Sequence, residues 1–270
     1  MGHLPRSVSL HSTAPALPRS CLMSFLLYDC MEIIGGKEVA RYSRPYMALV
    51  QNQNSSVCGG TLIKPNWVLT AAHCISQKLK VTLGVHSISM SEKEKQIFVV
   101  KKSFMHQCFD KETRTNDLML LQLDKPAKLN RFVSTLKLPS VSSFKDIKPN
   151  TLCSTAGWGR ISNKKNSDSD VLMEVNITVI ERAKCQKTFI KENQVITRNM
   201  LCAGDKRGKK DTCEGDSGGP VICNNEFAAV TSFGPIKCGS KPGVYTLLTP
   251  KYIQWIHNVT GGEFTGKNAL

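Results

Sequence analysis

Residues 211–220 read Asp-Thr-Cys-Glu-Gly-Asp-Ser-Gly-Gly-Pro. Ser217 stands between an acid and a pair of glycines, and a second acid, Asp211, lies six residues upstream. A serine hydroxyl is a weak nucleophile at neutral pH and needs a base within hydrogen-bond reach. Two other stretches offer the missing groups. His73 sits in Leu-Thr-Ala-Ala-His-Cys, residues 69–74, just after an apolar run, and Asp117 opens Asp-Leu-Met-Leu-Leu-Gln-Leu, residues 117–123. An imidazole can take a proton from the hydroxyl and return it to a leaving amine. A carboxylate can fix the imidazole tautomer. Each stretch alone has an ordinary explanation. Gly, Ser and Asp are turn residues, a single histidine is more often structural than catalytic, and an Asp before a strand is commonly a turn or cap. The chemistry therefore depends on whether the chain can bring three distant segments together.

The elements available for that task are short β-prone runs. They include residues 46–51, 60–72, 80–85, 96–104, 117–123, 172–180, 219–225, 227–234 and 243–248, with Gly, Pro, Asn and Asp between them. This spacing predicts an all-β sandwich or a pair of barrels. Helical signal is sparse. After Pro250, the residues Tyr252, Ile253, Trp255, Ile256 and Val259 recur at helical spacing, which predicts a terminal helix docked on the body.

The chain has 270 residues, 41% of them hydrophobic, which suits one large domain or two lobes sharing a core. No run reaches the roughly 18 apolar residues of a membrane-spanning helix. Eleven cysteines favour an oxidising compartment. There is no Cys-x-x-Cys pair, and His73 and Cys74 are adjacent, so zinc-finger spacing is absent. Lone His86, His106 and His257 have no metal partners in the sequence, and no metal or other cofactor is expected. The net charge of +15 favours acidic partners. Basic clusters lie at Lys101-Lys102, Lys164-Lys165 and residues 206–210, with few interleaved aromatics, so base stacking is not indicated. Asn54, Asn176 and Asn258 each begin an N-glycosylation acceptor triplet. Residues 1–32 carry a short apolar stretch, 21–28, after Arg19. They read as a leader with an unusually long polar lead-in.

Taken with Ile-Ile-Gly-Gly at 33–36, Ala-Gly-Trp-Gly-Arg at 156–160 and Lys-Pro-Gly-Val-Tyr-Thr-Leu-Leu-Thr at 241–249, these stretches resemble the trypsin-like serine proteases. The resemblance covers Ile33 to about Val259. It implies two six-stranded antiparallel β-barrels with the active site between them, a C-terminal helix, a protease domain over 33–259 and a tail over 260–270. It implies His73, Asp117 and Ser217 as a triad, with the backbone N–H groups of Gly215 and Ser217 as the oxyanion hole. Asp211 matches the base of the specificity pocket, with Ser232, Phe233, Gly234 and Gly243 along its walls. Cleavage after Arg or Lys is the implied preference. Phe233 stands where many relatives carry Trp. Asp216 matches the partner of a new ammonium on Ile33, made by cutting after Glu32.

The same resemblance implies four bridges: Cys58–Cys74, Cys153–Cys223, Cys185–Cys202 and Cys213–Cys238. With Cys21 and Cys30 in the leader, Cys108 is left over, and an odd cysteine in a secreted chain suggests an intermolecular bridge. Residues 58–74, 174–185 and the Cys108 segment are similar to the granzymes, the lymphocyte granule proteases. That likeness implies a granule enzyme stored on acidic proteoglycan and therefore binding heparin. It also implies trimming of Met31-Glu32 by a dipeptidyl peptidase, and serpin-type inhibitors. Two granzyme forms compete, a disulfide-linked homodimer and a monomer that lacks the extra cysteine. A digestive or plasma protease would favour a long activation peptide ending in Lys or Arg, against which Glu32 speaks. A silent binding protein of the same fold is the non-enzymatic alternative.

Overall fold

The computed structural model describes residues 1, 35–53, 57–164, 167–205, 208 and 210–261. Glu32, Ile33, Asn54 and most of the 206–210 basic run lie outside the described residues, as do the rest of the leader and the tail beyond Gly261.

The first barrel is closed by six antiparallel strands, β2 (Met47–Gln51), β3 (Val57–Lys64), β4 (Trp67–Thr70), β5 (Lys80–Leu83), β6 (Gln96–Met105) and β7 (Met119–Leu123). Its ring order is β2-β3-β4-β7-β6-β5. The long apolar run at 60–72 becomes two strands, because Pro65-Asn66 cannot continue a ladder and turns the chain instead. β4 and most of β7 are buried, as near-continuous apolar runs require.

The second barrel uses β8 (Leu152–Gly157), β9 (Met173–Ile180), β10 (Met200–Gly204), β11 (Pro220–Cys223), β12 (Glu226–Phe233) and β13 (Gly243–Leu247), closed by pairing of β9 with β8. A two-residue strand, β1 (Lys37–Glu38), adds to the outside of β9 in antiparallel register, Glu38 opposite Met173. β9 alternates inward Met173, Val175, Ile177 and Val179 with more exposed residues, the period of two that a one-faced strand demands. The expected architecture is therefore present.

Two helices appear. α1 (Arg182–Phe189) was not anticipated from the sequence. Only Cys185 and Phe189 are buried in it, one turn apart, and the Cys185–Cys202 bridge fastens it to β10. α2 (Pro250–Val259) starts with Pro at its first turn, where the missing N–H costs nothing. Its Tyr252, Ile253 and Ile256 are buried in the core of the first barrel, beside Leu69, Leu118 and Leu120. The chain end thus straps one barrel to the other.

Candidate active site

His73 lies in a single 3-10 turn, Ala72–Cys74, that follows β4. The Cys58–Cys74 bridge ties this turn to β3. The backbone N–H of His73 donates to Asp117 Oδ1 at 2.9 Å, and its ring Nδ1–H donates to Asp117 Oδ2 at 2.7 Å. Asp117 is fully buried. It follows Asn116, whose left-handed φ of 53° is one that asparagine tolerates, and it precedes β7. With Nδ1 committed to the carboxylate, Nε2 is the basic nitrogen of the neutral ring. A third donor was missed in the sequence. Ser232, read there as a pocket-wall residue, is buried and its hydroxyl donates to Asp117 Oδ2 at 2.5 Å. This contact joins residues 115 positions apart and leaves no local signal in the sequence.

Ser217 occupies a tight turn in which the Gly219 N–H donates to the Asp216 carbonyl at 3.1 Å. Gly218 has φ of 82°, and a Cβ there would lie 2.1 Å from Thr70 Oγ1 and 2.4 Å from the Gly59 carbonyl. Only glycine fits. Gly215, with φ of 98°, passes so close to Gly159 that a Cβ would come within 2.7 Å of its Cα. Among the described residues, neither the Gly215 nor the Ser217 N–H has a backbone acceptor. His73, Ser217, Ser232, Phe233 and Gly234 line one cleft of about 320 Å³. No hydrogen bond joins the Ser217 hydroxyl to His73 among the described residues. Such bonds are often long in unliganded enzymes and tighten with substrate.

Asp211 is 1% exposed. Its Oδ2 accepts from the Gly239 N–H at 2.7 Å, while Oδ1 is buried with no partner. Burial pushes its carboxyl up to about 7. Gly243 is packed against it: a Cβ there would meet the Tyr245 hydroxyl at 2.6 Å and Asp211 Oδ1 at 3.1 Å. A Cβ on Gly234 would come 3.8 Å from the Gly243 Cα, so the two backbones lie close together. The Cys213–Cys238 bridge ties the segment after Asp211 to the strand-end loop opposite. Thr212 and Cys213 line the cleft, whereas Asp211 and Gly243 are not among its lining residues. Phe233 meets Phe189 edge-on, with ring centroids 5.9 Å apart.

Asp216 is fully buried beneath the 157–159 segment. It accepts the Gly159 N–H at Oδ1 and the Cys213 N–H at Oδ2, both at 2.9 Å. A Cβ on Gly157 would lie 2.2 Å from its Oδ1. No cationic side chain among the described residues pairs with it. Burial pushes this carboxyl up to about 7 despite the two backbone donors. The folded state thus holds a proton that the unfolded chain releases near 3.8. The contribution of Asp216 to stability should therefore fall as pH rises from about 4 to about 7 and level off above that. Asp216→Asn should remove its share of the slope, about 1.4 kcal/mol per pH unit inside that window. Urea midpoints measured from pH 4 to 8 on both proteins test this. The slope is the readout, because the new amide shifts the offset. Parallel curves would refute it.

All four implied bridges are present, and Cys108 is an exposed free thiol. Asn176 on β9 and Asn258 on α2 are exposed. No helix among the described residues is long and apolar enough to cross a membrane, and no cluster of His, Cys, Asp and Glu among them has metal-site geometry.

A trypsin family profile matches residues 33–256. Bovine (Bos taurus) granzyme A is 45% identical over 93% of this chain and 96% of its own length. Rat (Rattus norvegicus) granzyme-like protein 1 is 42% identical over 84% of this chain and 91% of its own. Human (Homo sapiens) cathepsin G is 38% identical over 88% and 92%. With a profile spanning most of the chain, the two closed barrels and the cleft between the His73 turn and the Ser217 turn, the chain belongs to the trypsin family of serine proteases and is related to granzyme A.

Proposed function

We propose that this chain is an endopeptidase cleaving after Arg or Lys through an acyl-enzyme on Ser217. The observation that carries the reading is the double grip of buried Asp117 on His73, in the same cleft as Ser217. His73 Nε2 takes the Ser217 proton as the hydroxyl attacks the carbonyl carbon, then delivers it to the leaving amine. Gly215 and Ser217 N–H groups receive the developing oxyanion. Water attacks the acyl-enzyme by the same route in reverse. Asp211 holds the substrate cation, which supplies the partner its Oδ1 lacks. This mechanism is that of the family's general template.

Cutting after Glu32 would free the Ile33 ammonium for Asp216. That pairing raises the amine's pKa above its unfolded value of about 7.7–8.0. Its stabilisation is then complete below that value and fades as pH climbs through the folded pKa. The buried, cation-free Asp216 supports this reading, since it lacks the charge that would keep it ionised. A dipeptidyl peptidase acting on Met31-Glu32, serpin-type inhibitors, glycans on Asn54, Asn176 and Asn258, and secretion into cytolytic granules complete the granzyme A-type assignment. Acidic proteoglycan such as heparin meets the exposed Lys101-Lys102 face. Exposed Cys108 favours the disulfide-linked homodimer over the monomeric form.

One experiment tests both parts. Processed protein is labelled with a fluorophosphonate and run with and without reductant. The label should sit on Ser217, vanish in Ser217→Ala, and run at twice the chain mass until reductant is added. An unlabelled Ser217 in correctly processed protein refutes the enzyme. A monomeric labelled band refutes only the dimer.

A further inference from the structure

A second cavity, of about 270 Å³, shares Arg114 with the cleft and opens among Arg114, Asn116, Thr197, Asn199, Lys251 and Tyr252. Its lining holds two cations and no carboxylate. Arg114 carries Nη1 buried and without a partner, an expensive state for a guanidinium. Lys251 gives one hydrogen bond to Asn116 Oδ1 at 3.0 Å, which the Tyr252 hydroxyl also reaches, at 2.9 Å. The ammonium also lies 4.5 Å from the centroid of the Tyr252 ring, and part of its donor capacity stays free. Partial desolvation holds Lys251 below its ordinary pKa; the neighbouring Cys108 thiol works against that and the charge of Arg198 adds to it. Lys251 also lies in the first turn of α2, which has no acid and no side-chain cap. A lysine there opposes the helix dipole, while an anion there is favoured. The charged residues that line the cavity are thus of one sign.

We propose that this cavity binds a small tetrahedral oxyanion, with Arg114 and Lys251 as its cationic ligands and the Tyr252–Asn116 edge as its polar wall. The planar guanidinium offers paired donors and the ammonium a point charge, the combination that suits sulfate or phosphate. Arg114 also lines the substrate cleft, so the bound anion would sit one side chain away from the catalytic groups.

Sulfate raises protein melting temperatures without binding, so the test measures occupancy. The full chain is dialysed to equilibrium against radiolabelled inorganic sulfate at fixed ionic strength, with chloride as the balancing anion. One saturable site per chain is expected. Arg114→Gln and Lys251→Gln should each weaken it about tenfold, the usual effect of losing one charge-assisted contact. Arg114→Lys should restore only part of it, since it keeps the charge and loses the paired donors, and Lys102→Gln, on the exposed basic face, should change nothing. Lys251 is exposed, so its variant decides the matter if Arg114→Gln does not fold. Uptake that never saturates, or that is equal in wild type and Lys251→Gln, overturns the proposal and leaves only diffuse binding to a basic surface.

Discussion

Replacing Asp117 by asparagine is expected to lower kcat about ten-thousandfold while leaving KM near its starting value, the size found for this exchange in serine proteases with the same triad. The cause is in the hydrogen bonds. Asp117 accepts from the His73 backbone, the His73 ring and Ser232. An amide keeps the shape but offers one oxygen and one N–H₂. If the N–H₂ faces the ring, Nδ1 must become the acceptor and the proton moves to Nε2. The base is then occupied at the one atom that has to take the Ser217 proton. Substrate contacts in the pocket are untouched, which is why KM holds. Ser232→Ala should be far milder, about tenfold in kcat, because it removes one of three donors and leaves the tautomer alone. Single-turnover acylation of an arginine ester by the processed protein separates the cases. An Asp117→Asn enzyme within tenfold of wild type would mean that this carboxylate does not set the proton's position.

The second large effect has opposite signs in activity and stability. Asp211→Ser should cut kcat/KM on Arg and Lys substrates by roughly 10²–10⁴-fold, the loss expected when one member of a buried charge pair is removed. The same exchange should stabilise the unliganded chain above pH 7, on the order of 3 kcal/mol, and less as pH falls below about 7. Asp211 has a buried oxygen with no partner and a carboxyl pushed up to about 7, so keeping it charged without substrate is unfavourable. Substrate binding relieves that cost, so part of the recognition energy is stored in the empty site. Denaturant midpoints and peptide hydrolysis on the same preparations check the pair. A destabilised variant, or one that retains turnover on arginine substrates, would remove Asp211 from this role.

Much of this architecture can be read from residue order, because its signals are local. The apolar run after Asp117 gave β7, the stripe after Pro250 gave α2, and the turn residues around Ser217 gave the tight loop. The failures share a cause. α1 has good helix formers but only Cys185 and Phe189 facing inward, too few to make a periodic pattern, and a disulfide supplies what its apolar face lacks. β10 reads Met-Leu-Cys-Ala-Gly and is buried on both faces, so no alternation marks it. Ser232 and Arg114 are informative only through what lies next to them in space. A buried hydroxyl on Asp117 and an unpartnered guanidinium have no one-dimensional signature.

The small outer strand β1 determines how a newly cut chain end would behave. Lys37 and Glu38 are held by β9, and Gly157, against which Asp216 packs, stands on the other side of the same β9 residue, Met173. Two strand spacings, about 10 Å, therefore separate Glu38 from Gly157. Ile33 is four residues from Lys37, a leash of about 14 Å at full stretch. A terminus released at Ile33 would search a volume only slightly larger than the gap it must cross, at a local concentration in the millimolar range or above. Its docking would be first order in the chain and indifferent to dilution. Lengthening the leash by a few glycines would slow that step without touching a single catalytic atom.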